Sequence, residues 1–297
     1  MAQFNSTMVT SNISSSPGDS PHPSLDSRGL VPAVVMSVCF LMGFPGNIAV
    51  IILKPNWENM SSLSQSLMLS LAVSDLLCLV TLPLWIYSFL YGWTFRLVGC
   101  KIITYFVYCS LYTSLLTVTV LSVQRYLQVV HLQRSLNRVR AKMLLLPLWL
   151  ASMILSTPAL VFRQLSEDQR WTTCSNQYSF EGQRMAVVLS ETLVGFVSLS
   201  VIVFSYINLY RKVSRAVLFN NPQTTRLITS ITVTLVVLWA PYLVSNVISM
   251  AAISLKNEGL LTFCDGIRLS NISPQTSCVL ITAGPQTEDI HLCGKEL

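Results

Sequence analysis

Hydrophobic positions in this 297-residue chain fall in long runs that are separated by short polar segments. Four of the runs are free of charged residues and contain between 20 and 29 residues. They lie between Arg28 and Lys54, between Lys101 and Arg125, between Lys142 and Arg163, and between Arg226 and Lys256. Two more runs, about 63–91 and 185–210, are long enough to cross a membrane, but each carries one acidic residue. Because a helix crosses a membrane with about 20 mostly apolar residues, the pattern predicts six transmembrane helices in an all-α bundle.

The composition indicates that lipid, rather than water, surrounds this bundle. Hydrophobic residues make up 52% of the chain and charged residues only 11%, against about 25% charged in soluble domains. The bundle is predicted over residues 29–255, followed by an atypical segment at 256–297. Residues 1–28 are polar, which is typical of a disordered extracellular tail and not of a cleavable signal peptide. Asn5 and Asn12 begin glycosylation acceptor sequences in that tail.

The distribution of basic residues predicts the orientation of the bundle. Ten Lys and Arg residues, but only one acidic residue, lie in the short loops 54–62, 125–142 and 211–226, which would share one side of the membrane. Such loops mark the cytoplasmic face, so the chain is predicted to be a multi-pass membrane protein with its N-terminus outside. Basic loops beside anionic lipid account for these charges, and nucleic-acid binding is not required.

Two acidic side chains lie inside the predicted helices. A charge such as that of Asp75 costs about 2.5–3.5 kcal/mol at the centre of a membrane helix, so Asp75 should face the interior with a polar partner or an ion. Asn47 and Ser114 are candidates for that partner. The alternative is a protonated Asp75 that hydrogen-bonds to a neighbouring helix. Glu191 is nearer the outer end of its helix, where interfacial water could reach it.

Cysteine, arginine and proline positions add further expectations. Cys100 and Cys174 both lie on the predicted outer side, which is an oxidising compartment, and can pair there. Arg125 ends the third run, where it could simply reach the lipid headgroups. Proline residues inside the runs predict kinks at Pro45, Pro83, Pro158 and Pro241.

Six sequence motifs, taken in chain order, resemble those of the rhodopsin-like G-protein-coupled receptors. They are Gly46-Asn47, Leu71-Ala72-Val73-Ser74-Asp75, Trp93 with Cys100, Gln124-Arg125-Tyr126, Trp149 with Pro158, and Trp239-Ala240-Pro241-Tyr242. The resemblance covers about residues 30–255. It implies a receptor rather than an enzyme, in which an outer ligand favours an outward movement of helix six and opens a groove for a heterotrimeric G protein. The residues implied in this activation switch are Gln124, Arg125, Tyr126, Trp239 and Pro241.

Within that family, three segments are similar to the leukotriene B4 receptors: YCSLYTSLL, LSTPALVFR and FEGQRMAVVLSETLVGF. The similarity implies a fatty-acid ligand with one carboxylate and several hydroxyl groups. The basic residues expected to attract the carboxylate are Lys101, Arg163 and Arg184. The residues expected to hydrogen-bond the hydroxyl groups are Ser110, Tyr112, Glu191 and Tyr242. Instead of binding a ligand, Arg163 could anchor its helix at the membrane interface, and Tyr112 could serve only in packing. The alternative to a lipid receptor is a chemokine-type or formyl-peptide receptor.

The sequence departs from the family pattern at three places. Gln124 replaces the acidic residue that precedes the arginine, which predicts a less restrained resting state. Helix five has no central proline. The segment 269–287 lacks the seventh-helix motif Asn-Pro-x-x-Tyr, and its apolar core at 278–283 is too short to cross the bilayer. We therefore expect the resemblance to end near residue 255, without a seventh helix.

A missing seventh helix would have consequences for function. The ligand site would lose a wall, and Asp75 would lose partners, which weakens the option of a sodium ion there. We then expect poor coupling to G protein. A truncated chain that dimerises with a full-length receptor and retains it in the endoplasmic reticulum is an alternative.

Two other classes of membrane protein receive little support from the sequence. A transporter or channel would require inverted repeats or a selectivity loop, and the sequence shows neither. A membrane enzyme is not supported, since His22, His131 and His291 lie on separate segments and form no metal or nucleophile cluster.

Overall fold

The structure is a computed structural model, and it describes residues 29–53, 62–130, 141–168, 171–215, 242–256 and 259. Six helices and one hairpin are found in these residues. The helices are α1 (Leu30–Leu53), α2 (Ser62–Tyr91), α3 (Arg96–Val130), α4 (Ala141–Phe162), α5 (Glu181–Arg215) and α6 (Tyr242–Ser254). The strands β1 (Arg163–Asp168) and β2 (Trp171–Asn176) lie between α4 and α5.

Five of the helices in the described ranges, α1 to α5, are long and apolar enough to cross a membrane. They coincide with the first five predicted spans. The sixth predicted span lies partly outside the described residues, and α6 is the part of it that is described. The prediction of an all-α membrane bundle is confirmed, with the hairpin as an addition that the sequence pattern did not predict.

The helices expose many large apolar side chains and bury many hydroxyl groups, unlike the helices of a soluble protein. Leu41 on α1 is 69% exposed, and Ile154 on α4 is 72% exposed. The side chains buried on α3 include Thr104, Ser110, Thr113, Ser114, Thr117 and Ser122. Such a distribution is stable only where lipid surrounds the bundle, since exposing a leucine or isoleucine side chain to water costs roughly 1.5–3 kcal/mol relative to burying it.

Helix α3 occupies the centre of the bundle. It packs against α2, α4 and α5, and its first turns contact β1, while α1 packs against α2. The indole of Trp149 on α4 donates a hydrogen bond to the Ser70 hydroxyl of α2 at 3.1 Å. Polar contacts of this kind fix the rotation of helices in lipid, where apolar surface alone gives little specificity.

The hairpin is antiparallel and covers one end of the bundle, which we call the hairpin end. Its register pairs Leu165 with Cys174, and the predicted disulfide between Cys100 and Cys174 is confirmed, with a Cα–Cα distance of 5.7 Å. The backbone N–H of Trp93, in the α2–α3 connection, donates to the Thr172 carbonyl of β2 at 2.7 Å. The hairpin is therefore attached to α3 by a covalent bond and to the neighbouring loop by a backbone hydrogen bond.

Prolines lie inside three of the membrane helices, and the kinks expected at them stay a prediction. Pro45 is within α1, Pro83 within α2 and Pro158 within α4, which also contains Pro147. The Thr81 hydroxyl, two residues before Pro83, donates to the Cys78 carbonyl of the same helix at 2.7 Å. Helix α5, which has no proline, is continuous over 35 residues. Pro241 lies outside the described residues.

Candidate ligand site and interior polar network

A cleft at the hairpin end lies between α3, α4, α5 and the segment that follows β2. Its polar lining residues are Tyr108, Tyr112, Ser156, Asn176, Tyr178, Ser190 and Glu191. Its apolar lining residues are Leu155, Pro158, Ala159, Phe162 and Val187. The free volume of the cleft is about 20 Å³, which is room for about one water molecule. A larger ligand would therefore have to widen the cleft.

The carboxyl group of Glu191 connects α5 with α6 beside this cleft. The phenol of Tyr242 donates to Glu191 Oε2 at 2.8 Å, and Glu191 is 9% exposed. On the opposite wall, the rings of Tyr108 and Tyr112 have centroids 6.3 Å apart. The two tyrosines share one face of α3 because they are four residues apart. The cleft thus combines an acidic acceptor with several hydroxyl groups on otherwise apolar walls.

Three of the seven predicted ligand residues are brought together here. Tyr112 and Glu191 line the cleft, and Tyr242 reaches it through its hydrogen bond to Glu191. Sequence reasoning missed Tyr108, Ser156, Asn176, Tyr178 and Ser190. Only Tyr108 carried a usable signal, which is its four-residue spacing from Tyr112.

The other four predicted ligand residues are not among those that line the cleft. Ser110 is buried, and its hydroxyl donates to the Phe106 carbonyl of its own helix at 2.8 Å. Arg163 begins β1, where its Nη1 donates to the Cys174 carbonyl at 2.9 Å. Lys101 and Arg184 lie half-buried near the hairpin ends of α3 and α5.

A second polar cluster lies in the centre of the bundle, between α2 and α3. The Ser114 hydroxyl donates to Asp75 Oδ1 at 2.7 Å, and the hydroxyl groups of Ser74 and Ser114 are 2.7 Å apart. All three residues are almost completely buried. Asn47 bonds within its own helix, donating to the Gly43 carbonyl at 3.0 Å. Of the two partners expected for Asp75, the structure therefore places Ser114 in direct contact.

The predicted switch residues lie near the opposite end of α3. Gln124 is buried, and its Nε2 donates to the Ser64 hydroxyl of α2 at 3.0 Å. Arg125 and Tyr126 are half-buried, and the ring centroid of Tyr126 is 6.4 Å from that of Phe204 on α5. Gln124 thus joins α3 to α2. Trp239 lies outside the described residues, as do Asn5 and Asn12.

Comparison with known proteins identifies the class to which this fold and these motifs belong. Residues 46–275 match the family of 7 transmembrane receptors (rhodopsin family). The chain belongs to this family, and it is a non-enzymatic, multi-pass membrane receptor. The matched range extends beyond residue 255, where the motif resemblance was expected to end, into a segment mostly outside the described residues.

Individual relatives include two kinds of receptor. The chain is 30% identical to human leukotriene B4 receptor 1 over 237 residues, which cover 76% of this chain and 66% of the relative. It is 32% identical to the rat leukotriene B4 receptor 1 over 176 residues, which cover 57% and 50%. It is 28% identical to human C-C chemokine receptor type 8 over 237 residues, which cover 78% and 66%. The matched region thus spans about half to two thirds of these relatives.

Proposed function

We propose that this chain is a receptor for a hydroxylated fatty acid of the leukotriene B4 type, and that it signals from the plasma membrane through heterotrimeric G proteins. The observation that carries the proposal is the chemistry of the cleft. Its apolar walls suit a hydrocarbon chain, and its tyrosine, serine and glutamate groups suit hydroxyl groups spaced along that chain. The relatives named for leukotriene B4 support the same ligand class.

Glu191 is the proposed anchor for a ligand hydroxyl. A hydroxyl group can donate to a carboxylate oxygen, as the Tyr242 phenol does in this structure. Because Glu191 is nearly buried, a bond to it from a ligand is shielded from water and contributes more than a surface contact. Tyr112, Tyr108 and Ser156 would provide further partners. Binding is expected to widen the cleft and to weaken the connection between α5 and α6.

The ligand carboxylate is proposed to remain near the hairpin end. Lys101 and Arg184 are the basic residues expected to attract it, and Arg163 contributes positive charge although one of its N–H groups is already engaged by Cys174. The lining of the cleft contains no basic side chain among the described residues. This separation suits a molecule with an acid at one end and hydroxyl groups farther along its chain.

The activation step follows from the family and is proposed for this chain. Ligand would shift the bundle toward a state in which α6 moves outward, with Trp239 and Pro241 at the bend and Arg125 at the G-protein groove. Asp75 with Ser114 and Ser74 offers oxygen atoms of the type that a hard cation such as sodium accepts. The sodium ion remains a proposal.

A chemokine-type ligand is the second candidate, because similarity to C-C chemokine receptor type 8 is almost as high as to the leukotriene receptors. The two candidates differ in the ligand that activates the chain. We would express the full chain, reconstitute it in nanodiscs with G proteins of the Gi and Gq classes, and measure GTPγS uptake. Leukotriene B4 and a chemokine panel are the two probes. A response to chemokines alone would refute the lipid proposal.

Two tyrosines on α3 supply a matched pair of variants for this assay. Tyr112→Phe removes a hydroxyl group from the cleft, whereas Tyr105→Phe removes one that donates to the Met153 carbonyl, outside the cleft. We expect Tyr112→Phe to raise the concentration of leukotriene B4 for half-maximal response about tenfold, equivalent to about 1.4 kcal/mol. Tyr105→Phe should leave it unchanged, and equal effects of the two variants would contradict the proposed contact.

The alternative of a non-signalling partner is tested by co-expression with a full-length leukotriene receptor. Retention of that receptor inside the cell would support dimerisation. Unchanged amounts of the full-length receptor at the cell surface would dismiss it.

A further inference from the structure

The short connection between α2 and α3 ends in an exposed cation at the hairpin end. Arg96 begins α3, and its side chain forms no ion pair or hydrogen bond within the part of the chain that the structure describes. Two other basic residues at this end differ, because Lys101 is half-buried and Arg163 donates to the Cys174 carbonyl. The residues that line the cleft do not include Arg96 or its neighbours. A ligand in the cleft therefore does not account for this cation.

Aromatic and aliphatic side chains flank the cation in sequence and are also exposed. Tyr91 ends α2, and Leu97 and Val98 follow on α3, with Val98 67% exposed. The ring centroids of Tyr87 and Tyr91 are 5.2 Å apart, and that of Phe95 is 6.2 Å from Tyr87. Tyrosine, arginine and aliphatic side chains together are typical of the interface between lipid headgroups and lipid tails.

The length of α3 places Arg96 at the depth of the headgroups. Arg125, near the other end of this helix, is 29 residues farther along it. At 1.5 Å per residue the two arginines are about 44 Å apart, and a bilayer with its headgroups is about 40–45 Å thick. When Arg125 lies among the headgroups of one leaflet, Arg96 lies among those of the other. The anion that all phospholipids carry at this depth is phosphate.

The backbone of Arg96 is held in place by its contacts with the connection and the hairpin. Its carbonyl accepts a hydrogen bond from the Trp93 indole at 3.1 Å, and the backbone N–H of Trp93 donates to the Thr172 carbonyl at 2.7 Å. Arg96 has a φ of 43°, in the left-handed region that glycine adopts without steric cost. An arginine in this conformation costs stability, and such strain is typical of positions where the side chain has a role.

We propose that the α2–α3 patch (Tyr91, Arg96, Leu97 and Val98) binds one phospholipid of the leaflet at the hairpin end, with the Arg96 guanidinium on its phosphate. A guanidinium donates two parallel N–H bonds to phosphate oxygens. Leu97 and Val98 offer apolar surface to the acyl chains of the same lipid. Because Trp93 joins this connection to β2, the bound lipid also steadies the hairpin. The patch lies outside the cleft, so the proposal does not depend on the ligand that the cleft binds.

The bilayer dependence of Arg96→Gly tests the role of phosphate. We would measure the midpoint of thermal unfolding of the full chain in discs of phosphatidylcholine and in discs of digalactosyl diacylglycerol, which has no phosphate. In the galactolipid, glycine relieves the backbone strain and should raise the midpoint by roughly 3 °C. In phosphatidylcholine this gain should be absent or reversed, because the variant also loses the phosphate contact. An equal gain in both bilayers would overturn the proposal.

Lys256→Gly is the matched control for this measurement. Lys256 is also an exposed cation with a left-handed backbone, at φ 50°, but it follows α6. Glycine at this position should change the midpoint equally in the two bilayers. A dependence on phosphate as large as that at Arg96 would show a general effect of surface charge and would overturn the site.

Retention of lipid is measured directly by native mass spectrometry of the full chain in detergent with added phosphatidylcholine. Arg96→Gln should retain one phosphatidylcholine molecule fewer than the parent chain at the same lipid concentration, whereas Lys256→Gln should retain the same number. Equal numbers for all three chains would overturn the site. With digalactosyl diacylglycerol in place of phosphatidylcholine, Arg96→Gln should match the parent chain, and an equal loss of this lipid would overturn the assignment of phosphate.

Discussion

Replacement of Ser114 by alanine tests whether the buried polar cluster holds α2 and α3 together. The variant removes the hydroxyl that donates to Asp75 Oδ1 and that lies 2.7 Å from the Ser74 hydroxyl. Alanine fits the same space, so packing changes little. Ser122→Ala is a matched control, because Ser122 is equally buried on the same helix but its hydroxyl donates only to the Val118 carbonyl of that helix.

The magnitude follows from the number of interhelical bonds that are lost. Each polar bond between membrane helices contributes roughly 0.6–1.7 kcal/mol, so the loss of two predicts about 1–3 kcal/mol for Ser114→Ala. The control loses no interhelical bond and should cost less than about 0.5 kcal/mol. At roughly 3 °C per kcal/mol, the midpoint of thermal unfolding should fall by about 3–9 °C for Ser114→Ala.

The assay is thermal unfolding of the purified full chain in detergent, followed by intrinsic tryptophan fluorescence. Both serine variants and the parent chain are compared at the same detergent and salt concentration. Equal midpoints for Ser114→Ala and Ser122→Ala would refute the reasoning, because the cluster would then contribute nothing beyond a local helix bond. A larger fall for Ser122→Ala would refute it as well.

Further predictions concern the hairpin, the switch, the cleft and the C-terminus. Joint replacement of Cys100 and Cys174 by serine should destabilise the chain, by up to about 4.5 kcal/mol, which is the free energy of closing a loop of this length in an unfolded chain; an unchanged unfolding midpoint would contradict this. Gln124→Asp should lower basal GTPγS uptake, and equal basal uptake in both chains would count against a less restrained resting state. Tyr242→Phe should lower the unfolding midpoint by the equivalent of about 1–2 kcal/mol, since it removes a bond to a carboxyl group; no shift would argue against that bond. An epitope after the last residue should be labelled on intact cells if six helices cross the membrane, whereas labelling only after permeabilisation would indicate a seventh.

The membrane helices were predictable because lipid imposes a simple requirement on sequence. A span must satisfy its backbone internally and exclude charge, so each charge-free run between Arg28 and Arg163 corresponds to a helix. An acidic residue inside a membrane helix must find a partner, which made the Asp75–Ser114 contact foreseeable. Both inferences depend on local properties of the sequence.

The hairpin and the full lining of the cleft were not predictable in this way. Residues 163–176 show no regular alternation of apolar and polar positions, and their strands depend on contacts with distant residues, Cys100 and Trp93. Ser156 and Tyr178 enter the cleft only because α4 turns a particular face toward α3 and the hairpin fixes the segment that follows it. Helix rotation of this kind is set by packing between elements and not by the sequence of either element alone.

The central claim is that a hydroxylated fatty acid binds in the cleft between α3, α4 and α5. A photoreactive leukotriene B4 analogue, cross-linked to the full chain in nanodiscs and mapped by mass spectrometry, tests it most directly. The account predicts saturable labelling of Tyr108, Tyr112 or Tyr178, which unlabelled leukotriene B4 prevents. Labelling confined to other parts of the chain, or labelling that excess leukotriene B4 does not reduce, would contradict it.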